Sequence, residues 1–127
     1  MSKIFWLGII VTVIALSPPF PAKAEHGRIS DDAALRALYS GATEKGMIRG
    51  KEKFEIKYAD DGTATVETES GKSDSGKWTI EDGAHCLAWK RIRRGKKACF
   101  AVHHKTGDDY HLEALDGAND NDVQIVK

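Results

Sequence analysis

The run Phe54-Glu55-Ile56-Lys57-Tyr58 alternates apolar and charged side chains, breaks at Asp60-Asp61-Gly62, and resumes as Thr63 to Thr68. A period of two puts Phe54, Ile56 and Tyr58 on one face of a strand, and Asp-Gly at the break is hairpin-turn chemistry. These fifteen positions, Phe54 to Thr68, therefore read as an antiparallel strand pair with one buried face.

The same grammar continues toward the C-terminus. A polar loop, Ser70 to Gly76, is expected to include a turn at Asp74 to Gly76, and Lys77 to Glu81 then places Trp78 and Ile80 on one side. Asp82-Gly83 turns the chain, and His85, Leu87 and Trp89 alternate with Cys86, Ala88 and Lys90. Ala98 to His104 puts Phe100 and Val102 on one face. Thr106 to Asp109 turns again, Tyr110 to Leu115 is a further strand, and Val123 to Val126 follows a loop at Asp116 to Asp122. Gly- and Asp-bearing turns between short alternating runs are the pattern of an antiparallel meander. Upstream, Ser30 reads as a helix N-cap, Asp31 and Asp32 favour a first turn, and Leu35, Leu38 and Tyr39 form one stripe before Gly41. The expected fold class is mainly β: a small antiparallel meander closing into a barrel or strongly curved sheet of about seven strands, with one N-terminal helix over an open end.

Residues 1–24 read as a secretory signal peptide and 25–127 as a single β domain with its N-terminal helix. Lys3 gives the positive start, Ile4 to Leu16 is apolar, Pro18, Pro19 and Pro21 stop the helix, and Ala22-Lys23-Ala24 offers small residues for cleavage. The apolar run is well short of the roughly 20 residues that cross a bilayer, so no stable membrane anchor is expected. The expected address is the periplasm, with secretion to the medium second. The leader takes two of the 19 Lys and Arg and none of the 19 Asp and Glu, leaving 17 against 19. That balance gives no overall drive toward nucleic acid or an acidic membrane.

An oxidising compartment makes the two cysteines, Cys86 and Cys99, a disulfide candidate. The simplest strand register opposes this. If Arg93-Arg94-Gly95 is a three-residue hairpin loop, Ile92 pairs with Lys96 and Cys86 falls opposite Val102, beyond bridging distance; joining the cysteines then takes a bulge, a different turn or another path.

Several features carry possible chemistry. Lys90, Arg91, Arg93, Arg94, Lys96 and Lys97 crowd eight positions, and on a hairpin tip Arg91, Arg93, Arg94, Lys96 and Lys97 could hold an anionic partner; a solvated turn is the bland equivalent. Trp78, Trp89 and Phe100 could line a barrel mouth and hold an apolar ligand, although a barrel this size tends to be filled by its own side chains. Five histidines, His26, His85, His103, His104 and His111, raise a metal or haem alternative, but His103 and His104 point to opposite faces and no spacing marks a metal site. The Asp116 to Asp122 loop lacks calcium-loop spacing. Gly71-Lys72-Ser73 lacks the leading glycine and the helix of a phosphate loop. No nucleophile, base and orienter set is apparent, so no enzyme, cofactor or metal is expected.

The elements Asp61-Gly62-Thr63, Asp74 to Trp78, Cys86-Leu87-Ala88-Trp89, Cys99-Phe100-Ala101-Val102, Tyr110 and Asp116-Gly117 resemble a group of small exported alphaproteobacterial proteins of unknown function. The resemblance implies a compact β domain with a paired cysteine couple and supplies no catalytic residues. In size and class alone the chain is similar to periplasmic lysozyme inhibitors. The expected function is that of a non-enzymatic envelope protein binding another envelope component, protein or glycan, through the basic turn. A lipocalin-like carrier of an apolar ligand, or a metal or haem binder, is the alternative.

Overall fold

A computed structural model of the chain describes residues 27–127; the leader and His26 lie outside the described residues. The elements run β1 (Arg28–Ile29), α1 (Asp32–Tyr39), β2 (Thr43–Ile48), β3 (Glu52–Tyr58), β4 (Thr63–Thr68), β5 (Ser73–Glu81), β6 (Ala84–Trp89), β7 (Ala98–Thr106), β8 (Asp109–Ala114) and β9 (Asn121–Val126). From β2 to β9 each strand pairs antiparallel with the next, and β9 returns to β2 through Gly46 opposite Val123 and Thr43 opposite Val126. The result is an eight-stranded up-and-down barrel. β1 is a ninth strand, pairing Ile29 with Val102 on the stretch of β7 that β6 does not reach. Closure removes the exposed edges that an open sheet of this size would carry.

The barrel has one strand more than the alternation suggested, and β1 adds another. β2 carries no alternation signal, because its inward positions are Glu44 and Gly46, which break the apolar pattern that marks a strand. β5 also begins earlier than expected, at Ser73. The anticipated turn at Asp74 to Gly76 is strand, with Val66 opposite Asp74 and Gly76 opposite Trp89. Glycine is needed there: a Cβ at position 76 would sit 2.2 Å from the Ala88 carbonyl oxygen.

Inward side chains of successive strands, Ile56, Val66, Trp78, Leu87, Val102, Leu112, Val123 and Ile125, form one core, and α1 adds Leu35 and Tyr39, both fully buried. The α1 cap is Asp31, whose carboxylate accepts from the Ala34 amide at 3.0 Å, and not Ser30. Asp31 lies one residue nearer the first helical turn, where its charge also suits the helix dipole. The Asp32 carboxylate accepts from the Gly83 amide at 2.7 Å, and the Gly41 amide donates to the Tyr58 carbonyl, so α1 is tied across the barrel end holding turns 59–62 and 82–83.

Because the strands alternate in direction, connections alternate between two ends. Turns 59–62, 82–83 and 107–108 share the helix end; connections 49–51, 69–72, 90–97 and 115–120 share the opposite, open end.

The cysteine register departs from the simple hairpin. β6 ends at Trp89, Leu87 pairs with Ala98, and Cys86 stands directly opposite Cys99 with the Cα atoms 4.0 Å apart and the sulfurs bonded. Val102 is opposite Ile29 and Leu112 instead. The chain leaves the β6–β7 ladder for the ten residues 88–97, so no three-residue turn sets the register. Replacing both cysteines by serine releases a loop of 13-residue separation and should cost about 3 kcal/mol. Denaturant unfolding of the double variant against the oxidised parent measures it; matching midpoints would show the bond to be thermodynamically idle.

Candidate functional site

Every residue of the excursion at 90–97 is exposed, and the loop is pinned from below by Asp74, which the sequence places in a turn. Asp74 on β5 points inward near the open end, buried except for 8% of its surface. Its Oδ2 accepts from the backbone amides of Arg91 (3.0 Å) and Ile92 (2.9 Å), and Oδ1 accepts from Ser75 (2.8 Å). These amide bonds, Ile92's foremost, hold its carboxyl below the usual carboxylate range. The Arg91 guanidinium donates to the Ser73 carbonyl, and its Nε lies 3.7 Å from Asp74. At the other root, Lys97 donates to Glu81 at 2.7 Å. The Cys86–Cys99 bond crosses the strands just behind.

Between those anchors the chain makes a short 3-10 turn, Ile92–Gly95, in which Arg93 (φ 55°), Arg94 (φ 56°) and Gly95 (φ 76°) all adopt left-handed backbone. Consecutive left-handed arginines are costly, because the Cβ of an L-residue crowds the following carbonyl there, and they persist only where surroundings impose them. Amide to carbonyl bonds from Arg94 to Arg91 and from Lys96 to Arg93 close the turn. Of the five predicted binding cations, Arg91 and Lys97 are therefore engaged in holding the loop. Arg93, Arg94 and Lys96 are exposed and have no ion-pair partner among the described residues.

No family model, curated protein or solved structure matches this chain.

The aromatic candidates are divided. Trp78 is buried, donates its indole N–H to the Ala59 carbonyl at 2.9 Å, and packs edge-on against Tyr58 at 5.8 Å. Trp89 and Phe100 are half-buried against the same core, Trp89 opposite Gly76 and Phe100 opposite His85. An open hollow of about 1110 Å³ lies elsewhere, over β2–β4, β8 and β9, among residues such as Lys45, Phe54, Glu67 and Tyr110; none of the three aromatics lines it.

The histidines are likewise separated. His103 and His111 stand opposite each other on β7 and β8, but each turns to a carboxylate, His103 Nε2 3.0 Å from Glu113 and His111 Nδ1 2.7 Å from Asp122. His104 Nε2 lies 2.9 Å from the Gly107 carbonyl oxygen. His85 is wholly buried, opposite Phe100, remote in orientation from His103. Among the described residues, no three His, Cys, Asp or Glu groups are set to hold a metal ion.

The most perturbed groups are inside the barrel. Tyr39 stacks on His85 with ring centres 3.7 Å apart and meets Tyr58 edge-on at 4.9 Å. Its hydroxyl donates to Glu44, which is only 2% exposed, across 3.5 Å. Burial raises the Glu44 carboxyl to about 7, partly offset by the hydroxyls of Tyr58 and Tyr39, the former lying short of good hydrogen-bond geometry. Burial also lowers His85 to about 3, and neither ring nitrogen has a partner among the described residues. In sequence, Glu44 carries no mark of a buried group, and His85 stands among the metal or haem candidates on one face with Leu87 and Trp89. The available signal was parity: each shares a face with the apolar residues two positions away on its strand or its neighbour.

Proposed function

We propose that this chain is a non-enzymatic, exported binding domain that engages an anionic component of the cell envelope through the 90–97 loop. The observation that carries the proposal is the loop's construction. Asp74, Arg91 and Lys97 fix its roots, and the left-handed backbone holds Arg93 and Arg94 out with their charges unspent. Rigid presentation reduces the entropy lost on binding, which is where a mobile basic loop loses affinity. A non-catalytic role is supported by the sealing of Glu44 and His85, whose pKa values burial displaces strongly, inside the barrel where no substrate reaches them.

The test is capture of envelope components with the parent and with Arg93, Arg94, Lys96 and Lys97 all changed to Ser. Capture should be lost in the variant while the melting transition stays cooperative. Asp74→Ala, which frees the loop and removes none of its cations, should weaken capture without abolishing it. Undiminished capture by the four-fold variant would reject the proposal.

A further inference from the structure

The near-neutral sum of charges hides a segregation that the meander creates. The three turns at the helix end contain four aspartates, Asp60, Asp61, Asp82 and Asp108, and no Lys or Arg; α1 with its cap adds Asp31 and Asp32 against Arg36, and Lys127 donates to the Ala37 and Ser40 carbonyls, so carboxylates still outnumber cations there. The four connections at the open end contain nine Lys and Arg, six of them in 90–97, against three carboxylates, Glu69, Asp116 and Asp120. One pole of a small barrel is thus cationic and the other anionic.

The second observation is independent of charge. The large apolar side chains exposed among the described residues are Met47 (40%), Ile48 (41%), Ile92 (40%) and Leu115 (50%). All four lie at the open end: two close β2, one sits inside the basic loop, and one follows β8. Leu115 is held there by its amide's bond to the Cys99 carbonyl, beside the root of the basic loop. Ile92 is equally fixed, because its amide is one of those bound by Asp74. Scattered exposed apolar residues need no explanation, but confinement to the one cationic pole does.

Cations ringing exposed Ile, Leu and Met side chains are the chemistry of the lipid interface, where basic groups meet anionic headgroups and apolar ones enter the acyl boundary. We infer that the open end docks peripherally on an anionic phospholipid bilayer, with the helix end directed away. This rests on the basic-loop proposal and names the partner of that same loop. An acidic glycan would match the cations but leave the four apolar side chains unexplained; an acidic protein would have to cover the end from β2 across to the 90–97 loop, which a flat bilayer surface meets at once. Overall charge argues against attraction to an acidic membrane; charge sorted by pole supplies it, since a surface within a Debye length, about 8 Å at physiological salt, senses the near pole chiefly.

The experiment is co-sedimentation of the leader-free protein purified from expressing cells with vesicles of equal parts phosphatidylglycerol and phosphatidylcholine, against phosphatidylcholine alone. Binding should require phosphatidylglycerol and weaken with added salt. Arg93→Ser, Arg94→Ser and Lys96→Ser together should lower partitioning roughly 100-fold. Ile92→Ser with Leu115→Ser should lower it about tenfold while preserving the salt dependence. Both sets change exposed residues, and thermal melts verify that the barrel persists. No partitioning onto phosphatidylglycerol vesicles, or partitioning indifferent to Ile92 and Leu115, would overturn the lipid assignment. A soluble polyglutamate arm separates the two levels. Loop-dependent binding to polyglutamate without vesicle binding removes the lipid partner and keeps the basic-loop proposal; binding to neither removes both.

Discussion

Tyr39→Ala should lower the stability of this domain by about 4 kcal/mol, the largest loss expected from one side chain here. Tyr39 is fully buried and is the point at which α1 enters the barrel. Its ring covers His85 face to face and meets Tyr58 edge-on, and its hydroxyl reaches Glu44. Truncation opens a ring-sized cavity among side chains fixed by the strands, so little collapse can fill it. A domain of this size has about 5–15 kcal/mol in total, and a loss of this size corresponds to a drop of about 20 °C in Tm. Tyr39→Phe separates the two contributions. It keeps the ring and removes one long hydrogen bond, so it should cost about 1 kcal/mol. Chemical denaturation of both variants measures the difference; equal losses would place the hydroxyl, not the packing, at the centre of the plug.

The second large effect is a stability profile with two opposed limbs. Glu44 has a folded pKa of about 7 against 4.5 in the unfolded chain. The folded state holds that proton more tightly, so stability falls as pH rises from 4.5 to 7, by about 3 kcal/mol in all. His85 goes the other way, about 3 folded against 6.5 unfolded. Unfolding takes up a proton, so stability falls as pH drops from 6.5 to 3, by about 5 kcal/mol. Between pH 4.5 and 6.5 the slopes cancel, and the protein should show a plateau there. His85→Phe, which preserves the stack on Tyr39, should convert the plateau into a decline toward higher pH. Glu44→Gln should convert it into a rise. Unfolding free energies measured from pH 4 to 8 decide the matter, and parallel profiles for parent and variants would show that neither group is ionically insulated in the folded state.

Legibility in the sequence followed a physical rule. Strands whose inward positions are mostly apolar were plain: Phe54, Ile56 and Tyr58 on β3, and Leu87 and Trp89 on β6, where they outweigh the inward His85. β2 was not, because a carboxylate and a glycine occupy its inward sites, and what fits them there, burial beside the Tyr39 hydroxyl for Glu44 and the Phe54 ring over Gly46, is a tertiary fact. β1, two residues long, has no period to detect. The basic cluster could be seen, but its anchor could not. Asp74 reads as a turn former, and only the register that brings β5 under the 90–97 loop shows it accepting amides from Arg91 and Ile92. The cysteine pairing was implied by compartment and obscured by local geometry, because nothing in Arg93-Arg94-Gly95 announces two left-handed arginines. Segregation of charge and of exposed apolar groups by pole becomes visible only when each turn is assigned to an end.

The seam between β2 and β9 also orders events in time. Seven of the eight pairings in the barrel join strands adjacent in sequence and form by local search, whereas the eighth brings residues 43–46 to residues 123–126. Such a contact comes late, after the long intervening chain has been organised. Until β9 has been synthesised and has found β2, the earlier strands form an open, unsealed sheet with the Glu44 carboxylate wetted and free to ionise. The slowest step of folding is therefore expected to coincide with uptake of a proton between pH 4.5 and 7, and a refolding rate that falls as pH is raised across that window and levels off above it would be its kinetic trace.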